Sequence, residues 1–160
     1  MTERPMKTCC FTGHRPQFLI RPEEEIKRDL ENRILEAVAE GFTGFISGMA
    51  CGVDIWAAEI VLRLKGQHPE LRLAAAVPFP GFDKALDADW RRRYRAVLEK
   101  ADCVKEIGSA YFRGIYQVRN QWMVDHSAKV IAVYNGRTGG TRNTIRYAER
   151  RGVPVELIGG

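Results

Sequence analysis

The stretch Gly136–Thr141, GRTGGT, places paired glycines between an apolar run and a helix-forming run. Paired glycines let a backbone approach a ligand closely, and a helix N-terminus offers unpaired N–H groups with about half a positive charge. Together these features bind phosphate. We therefore predict a phosphate-binding loop with Gly139, Gly140 and Thr141 as its contacts. The alternative is an ordinary strand-to-helix turn capped by Thr141.

Two further loops, Thr12–Arg15 and Ser47–Asp54, combine glycine with polar side chains. An arginine such as Arg15 can clamp phosphate oxygens through bidentate hydrogen bonds, or it can lie on the surface beside an acid. His14 can donate to phosphate, act as an acid or base, or cap a neighbouring backbone group. Asp54 can bond a ribose hydroxyl or serve as a helix N-cap. The candidate ligand-binding residues of these two loops are Thr12, Gly13, His14, Arg15, Ser47, Gly48, Gly52 and Asp54.

Three more candidates lie outside the three loops. Arg119 and Asn120 belong to a predicted helix over residues 115–127, and Arg119 is a second phosphate clamp or a surface arginine. Phe79 follows a predicted strand in a loop flanked by prolines, where it could stack on a base or pack within its own loop. The same helix is predicted to bury one side through Ile115, Val118 and Trp122.

The elements that must position these residues alternate between strand and helix along the whole chain. Short apolar runs such as Lys7–Phe11 and Val130–Tyr134 are typical of fully buried strands, and each is followed by a loop and then a helical pattern. Alternation of this kind predicts a three-layer α/β fold, a Rossmann-like parallel sheet with helices on both faces. The loops after parallel strands share one edge, so we expect the candidates to meet there.

Length and composition favour one globular domain over residues 1–160, with 45% hydrophobic residues and a net charge of +5. The positive charge permits an anionic ligand or nucleic acid, although the run Arg91–Arg95 is more typical of a solvated helix face. The four cysteines show no metal-ligand spacing, so no metal site is predicted, and reduced thiols fit a cytoplasmic protein. We find no signal peptide and no apolar span long enough for a membrane.

Two common nucleotide motifs are absent. No G-x-G-x-x-G follows the first strand, which argues against a standard NAD or FAD site, and no G-x-x-x-x-G-K-[ST] is present, which excludes a P-loop NTPase.

Four segments, FTGHRP, SGMACGVDIWAAE, VPFPGF and RNQWMVDHSAKVIAVYNGRTGGT, resemble the YpsA family, and they are spread over nearly the whole chain. That family belongs to a Rossmann-like superfamily (SLOG) with the DNA-processing protein DprA and the LOG nucleotide hydrolases. The resemblance implies a Rossmann-like fold with a nucleotide-type ligand pocket. Residues 47–54 look like the SGMAxGxD segment of DprA, Arg119 matches the arginine that opens the corresponding helix, and Met123 matches the methionine of the LOG pattern.

One position departs from the resemblance. LOG hydrolases carry a catalytic glutamate in Gly-Thr-x-x-Glu, and counting from Gly140-Thr141 the matching position holds Thr144. The next carboxylate downstream is Glu149, more than a turn away. The LOG hydrolysis mechanism is therefore not carried over, and whether the protein is an enzyme stays open.

Three functions follow from these patterns. The first is a nucleotide or nucleotide-derivative binding protein, a ligand sensor or effector module with a phosphate-bearing ligand in place of a defined cofactor. The second is a hydrolase of an N-glycosidic or phosphate bond in a nucleotide, with Asp54, Asp83 or Glu59 as its carboxylate. The third is single-stranded DNA binding, as in DprA, with nucleic acid ranked below the small molecule. A homo-oligomer is compatible with the sequence, and no membrane partner is predicted.

Overall fold

The structure is a computed structural model that describes residues 6–160. Six parallel strands form one sheet in the order β4-β3-β2-β1-β5-β6. The strands are β1 Lys7–Gly13, β2 Phe42–Ser47, β3 Arg72–Val77, β4 Cys103–Glu106, β5 Lys129–Tyr134 and β6 Val155–Gly159. The parallel α/β fold predicted from the alternation of strands and helices is confirmed.

Five helices cover the two faces of this sheet. They are α1 Glu23–Ala39, α2 Val53–Leu64, α3 Ala88–Lys100, α4 Ile115–Asp125 and α5 Gly140–Arg150. One buried cluster joins α1, α2 and α3 to the sheet, and a second buried cluster joins α4 and α5 to the opposite face. Among residues 6–160, no helix has both the length and the apolar character needed to cross a membrane.

The apolar runs of the central strands supply both clusters because successive side chains of a strand point to opposite faces. In β1, Cys9 and Phe11 face the first cluster, whereas Cys10 faces the second. In β5, residues Val130–Val133 are all fully buried. A strand covered on both faces needs apolar residues at consecutive positions, which is the pattern that the sequence shows.

Helix α1 follows the predicted amphipathic pattern. Its first turn holds three glutamates, which complement the helix dipole, and Ile26, Leu30 and Ile34 are fully buried. The helix ends before Gly41, whose φ of +97° is left-handed backbone that favours glycine.

Several local predictions were wrong. Thr12 and Gly13, predicted as loop residues, form the end of β1, which pairs with β5 as far as Gly13. Val118 is 43% exposed, because the buried stripe of α4 runs through Ile115, Arg119 and Met123 instead. These three positions are four residues apart and share a helix face, so an arginine occupies the middle of a buried stripe.

The strand order reverses beside β1, with β2 on one side and β5 on the other. In open parallel sheets, ligands bind at such a switch point, outside the carboxyl ends of the strands. The loops that follow β1, β2 and β5 all leave this edge of the sheet because the three strands are parallel.

Candidate ligand-binding site

A cavity of about 360 Å³ opens at the switch point, between the ends of β1 and β5. Its size is within the usual range for small-molecule sites. Four segments line it: the end of β1 with the following turn, the start of α2, the first turns of α4, and the loop from β5 into α5. The lining residues are Phe11, Thr12, Gly13, His14, Arg15, Phe18, Asp54, Tyr116, Arg119, Asn120, Arg137, Thr138, Gly139, Gly140 and Thr141.

The loop into α5 leaves a helix N-terminus open to the cavity. Gly139 is the N-cap residue, with φ +138° and no side chain to cap the helix, so the alternative in which Thr141 is the N-cap was wrong. The first N–H to bond within this turn is that of Asn143, to the carbonyl of Gly139 at 3.0 Å. Within residues 6–160, the N–H groups of Gly140, Thr141 and Arg142 have no acceptor. Gly140 and Thr141 line the cavity, so the helix presents free donors and its positive dipole end at this site.

Arg119 is the buried cation of the cavity, with 3% of its surface exposed. Its Nη1 donates to the carbonyl oxygen of Gly48 at 2.5 Å, and its Nε donates to Oδ1 of Asn120 at 2.9 Å. Burial lowers the pKa of Arg119, and the charge of Asp54 partly opposes this effect. No carboxylate of the described residues lies within ion-pair distance of this guanidinium.

Two further arginines, Arg15 and Arg137, face the same cavity. The Arg137 guanidinium lies 3.9 Å from the centre of the Phe18 ring, a cation–π contact that holds the side chain beside the cavity. Its backbone N–H donates to Oδ1 of Asn135 at 3.2 Å, which fixes the turn after β5. In the part of the chain that the structure describes, neither arginine forms an ion pair with a carboxylate.

Asp54 is the one carboxylate among the described residues that line the cavity. It is the second residue of α2, after the N-cap Gly52, so the predicted N-cap role was wrong for the helix as formed. Its Oδ2 accepts from the N–H of Ala50 at 3.2 Å and so holds the loop that precedes α2. Burial raises the pKa of Asp54, although Arg119 and Arg15 oppose this shift.

His14 faces the cavity from the end of β1 with 6% of its surface exposed. Its Nε2 accepts from the N–H of Asn135 at 3.3 Å, which requires the neutral ring with the proton on Nδ1. Burial lowers the pKa of His14, and the charge of Arg137 lowers it further. His14 thus joins the loops after β1 and β5 across the switch point.

The loop after β2 supports the cavity from behind. Ser47 and Gly48, predicted as ligand contacts, do not line the cavity. Ser47 Oγ donates to the carbonyl of Asp54 at 2.8 Å and accepts from the N–H of Met49 at 3.2 Å. A Cβ on Gly48 would lie 2.9 Å from Oδ2 of Asp54 and 3.1 Å from Nε of Arg119, so only glycine leaves room for both side chains.

Two more glycines allow loops to pack closely. A Cβ on Gly13 would lie 2.5 Å from the Val53 side chain, and one on Gly52 would lie 2.8 Å from Pro16. Gly52, a predicted ligand contact, does not line the cavity, whereas Gly13 does. Both glycines let the end of β1 approach the start of α2.

Phe79, predicted to stack on a base, lies outside the cavity lining. Its ring packs against Phe82, Tyr111 and Tyr116, with centroid distances of 5.9, 5.7 and 6.3 Å. Phe82 in turn is buried against Tyr94. Phe79 therefore belongs to an aromatic cluster beside the cavity, which agrees with the packing role considered for it, although the cluster extends beyond its own loop.

Sequence reasoning missed some lining residues, chiefly Tyr116, Phe18 and Arg137. Tyr116 precedes Arg119 by three residues and Asn120 by four. Helical spacing was therefore the signal that could have placed Tyr116 on the same face of the helix as these two residues. Arg137 and Thr138 lie within the predicted phosphate loop Gly136–Thr141 and could have been included. Phe18 carried no sequence signal, because its position depends on how the turn after β1 folds towards β5.

The other candidate carboxylates lie away from the cavity. Glu59 pairs with Arg93 at 2.5 Å, and Asp83 pairs with Arg95 at 3.2 Å. Thr144 is buried and donates its hydroxyl hydrogen to the carbonyl of Gly140 at 2.8 Å within α5. The arginines of the run Arg91–Arg95 also bond to groups of this protein: Arg91 donates to the carbonyl of Leu86, and Arg92 pairs with Asp89.

Comparison with known proteins identifies the class. Residues 9–158 match the model of the YpsA family, described as the YspA SLOG family, and the chain belongs to this family. It is 32% identical over 155 residues to a UPF0398 protein of Halalkalibacterium halodurans, covering 91% of this chain and 82% of that protein. It is 34% identical over 138 residues to the uncharacterized SPbeta prophage-derived protein YoqJ of Bacillus subtilis, covering 76% and 81% of the two chains.

Two solved structures of DprA share the fold. The chain from Helicobacter pylori, described for its single-stranded DNA binding mode, superposes with a TM-score of 0.66 at 19% identity, over 94% of this chain and 64% of that one. DprA from Streptococcus pneumoniae gives a TM-score of 0.68 at 17% identity, over 97% of this chain and 51% of that one. The chain thus spans between half and two thirds of these DprA chains, and at such identities the likeness concerns the fold.

Proposed function

We propose that this protein binds a nucleotide or nucleotide derivative, with its phosphate at the N-terminus of α5 and its remainder directed towards β1 and α4. The observation that carries the proposal is the convergence of Arg15, Arg119 and Arg137 on one cavity that is also lined by Gly140 and Thr141, whose N–H groups are free. An anion with several oxygens accepts hydrogen bonds from donors of both kinds.

The charge balance of the cavity supports an anionic ligand. Three guanidinium groups face a single carboxylate, Asp54, so the lining carries an excess of two positive charges when that carboxylate is ionised. A buried cation without an ion pair lowers stability unless a partner compensates it. A phosphate or diphosphate group provides that partner in the bound state.

The rest of the cavity offers groups suited to a sugar and a base. Thr12, Asp54 and Asn120 can bond hydroxyl groups, while the rings of Phe18 and Tyr116 provide apolar walls. A mixture of a few polar groups with apolar walls is typical of small-molecule sites. Sensor or effector roles are consistent with such a site, since binding alone requires no catalytic group.

A thermal-shift screen of nucleotides with two glycine variants tests this proposal. A ligand at 100 times its Kd adds about 2.7 kcal/mol, a shift of roughly 5 °C or more in a domain of this size. We expect Gly139→Val to abolish the shift, because a β-branched side chain keeps phosphate from the helix N–H groups. Binding of the bare nucleoside should fall less.

Gly136→Val is the matched control. Gly136 has φ +91° and Gly139 has φ +138°, and a Cβ at either position would meet no atom within 4 Å. Both variants therefore strain the same loop, but only Gly139 lines the cavity. Equal losses of nucleotide binding in the two folded variants would show that the loop is structural and that the anion binds elsewhere.

A second candidate function is single-stranded DNA binding. It is favoured by the fold shared with the Helicobacter pylori DprA, described for binding single-stranded DNA, together with the net charge of +5. Binding of this kind should weaken steeply with salt, since phosphate contacts release counterions. Titration of a fluorescent oligonucleotide at 50 and 200 mM salt, with Arg119→Ala beside the wild type, tests it. Absence of oligonucleotide binding by the wild type at 50 mM salt would contradict this candidate.

A further inference from the structure

Three aromatic side chains, Tyr111, Phe112 and Tyr116, form an exposed aromatic shelf beside the cavity. Their exposed fractions are 61%, 48% and 36%, respectively. Large rings are seldom left exposed together without a binding role, because each could bury 150 Å² or more of surface. The shelf comes from the segment before α4 and from the first turn of that helix.

The shelf packs against two further rings, the half-buried Phe79 and the buried Phe82. Tyr111 and Tyr116 lie 6.3 Å apart, and Phe79 contacts both at 5.7 and 6.3 Å. Phe82, which is 6% exposed, packs on Tyr116 at 6.0 Å. The tyrosine rings are therefore positioned before any ligand arrives, which lowers the entropy that binding must overcome.

Tyr116 connects the shelf to the anion site. It lines the cavity, and its ring centre lies 5.9 Å from the guanidinium carbon of Arg119. Tyr116, Arg119 and Asn120 share one face of α4 by helical spacing. A ligand whose phosphate reaches Arg119 and the α5 N-terminus thus has an aromatic surface next to it.

We propose that the aromatic shelf stacks the nucleobase of the ligand, so that the protein selects base-bearing phosphates over sugar phosphates. The inference rests on the proposed nucleotide function and adds where the base binds. Every base has a π-face, and base stacking on an aromatic side chain is sequence-tolerant. The larger ring system of a purine covers more of the shelf, so purine nucleotides should bind more tightly than pyrimidine nucleotides.

Tyr116→Leu and Tyr111→Ala test the shelf, with Tyr116→Phe as the conservative variant that keeps the ring. Isothermal titration with ADP, ribose 5-phosphate and pyrophosphate separates base, sugar and phosphate. We expect ADP affinity to fall by roughly 5- to 150-fold in Tyr116→Leu, as for loss of a stacked base, and to recover in Tyr116→Phe. Pyrophosphate affinity should stay within about twofold in all three variants, and circular dichroism checks that each is folded.

Several outcomes would overturn the inference. Equal losses for ADP and pyrophosphate in folded Tyr116→Leu would mean that the ring only positions Arg119. Unchanged ADP affinity in both Tyr116→Leu and Tyr111→Ala would show that the base lies elsewhere. Wild-type protein that binds ribose 5-phosphate as tightly as ADP would refute base selection while leaving the phosphate site intact. Failure of all three ligands to bind would refute the proposed function itself.

A nucleobase can come from a free nucleotide or from a single strand, and one more titration distinguishes the two sources. A short oligodeoxyadenylate that binds more tightly than ADP, with a steep salt dependence, would identify the strand as the source. Tighter binding of ADP with a shallow salt dependence would identify the mononucleotide. In either case Tyr116→Leu should weaken the preferred ligand.

Discussion

Two buried cations lie at opposite edges of the sheet, and their surroundings differ. At the amino edge, Lys129 is 7% exposed and pairs with Glu40 at 2.8 Å and Glu156 at 3.0 Å. Burial by itself would lower the pKa of Lys129, but these two bonds outweigh it and raise the pKa. At the carboxyl edge, Arg119 is buried to a similar extent, forms no ion pair within residues 6–160, and has a lowered pKa.

The difference separates a cation that serves the fold from one that is available to a ligand. Lys129 has its negative partners within the protein, so its charge is balanced when the chain folds. Arg119 is held by the neutral oxygens of Gly48 and Asn120, which orient the guanidinium without neutralising it. An oriented arginine that forms no ion pair and is compensated only in part, by the charge of Asp54, is the arrangement expected for binding an anion.

The largest expected effect is on ligand binding when Arg119 is changed. Arg119→Ala should weaken nucleotide binding by roughly 10- to 150-fold, since a charge-assisted hydrogen bond is worth about 1.5–3 kcal/mol. The control is Arg146→Ala, which removes the same charge from an exposed position of α5 outside the cavity lining. Titration calorimetry on both variants gives the comparison. Unchanged affinity in a natively folded Arg119→Ala protein would remove this arginine from the site.

Lys129→Met should give the opposite result, a loss of stability with no loss of ligand affinity. Removal of the lysine takes one partner from each of two carboxylates, but Glu156 also lies 3.8 Å from Arg33, and half of the Glu40 side chain and 30% of that of Glu156 are exposed to solvent. We therefore expect the free energy of unfolding to fall by about 1–2 kcal/mol, below the value for fully buried pairs. Urea denaturation measures it. A weakened nucleotide affinity at unchanged stability would contradict the division of roles between the two edges.

The smallest effect is predicted for Asp54→Asn. Removal of the one lining carboxylate should strengthen inorganic phosphate binding by roughly two- to tenfold, because charge interactions across hydrated protein amount to about 1 kcal/mol. Nucleoside binding should weaken if this carboxylate bonds a ribose hydroxyl. Asparagine still offers an oxygen to the N–H of Ala50, so the loop should keep its shape.

The same variant has a defined pH dependence. Because the folded-state pKa of Asp54 is raised, its contribution to stability is present below its ordinary value of 3.8 and is lost as pH rises through the folded value. Asp54→Asn should therefore be at least as stable as the wild type at pH 7, and its relative advantage should shrink towards pH 4. Chemical denaturation at several pH values measures this. The opposite result would be a variant whose stability, compared with that of the wild type at the same pH, is lower at pH 7 than at pH 4. That result would show that the ionised carboxylate stabilises the fold.

Asp54→Asn also tests the hydrolase alternative. Since Asp54 is the one lining carboxylate among the described residues, any turnover of nucleotide monophosphates or ADP-ribose-type compounds at this cavity should be lost in the variant. Turnover that persists in the variant would mean that the reaction takes place at another site or uses other catalytic groups.

Much of the fold followed from the sequence because its signals are local. Each of these signals lies within a few consecutive residues. Examples are the apolar run Val130–Tyr134, the glutamates at the start of α1 and the glycine after that helix. The parallel sheet then required the loops after β1, β2 and β5 to share one edge, which is why His14, Asp54 and Gly139 could be grouped before their positions were known.

Other features depended on contacts between distant segments, which no local pattern reports. The sequence determined that Gly48 and Phe79 lie in loops at the carboxyl edge. Only the packing of distant segments decided that Gly48 makes room for Asp54 and Arg119. Packing likewise decided that Phe79 contacts the aromatic shelf. Likewise, the sequence placed Arg119 in a helix, whereas the tertiary structure turned it inwards and left it without an ion pair. Side-chain burial and charge pairing depend on what the rest of the chain brings near, and therefore only the folded protein settles them.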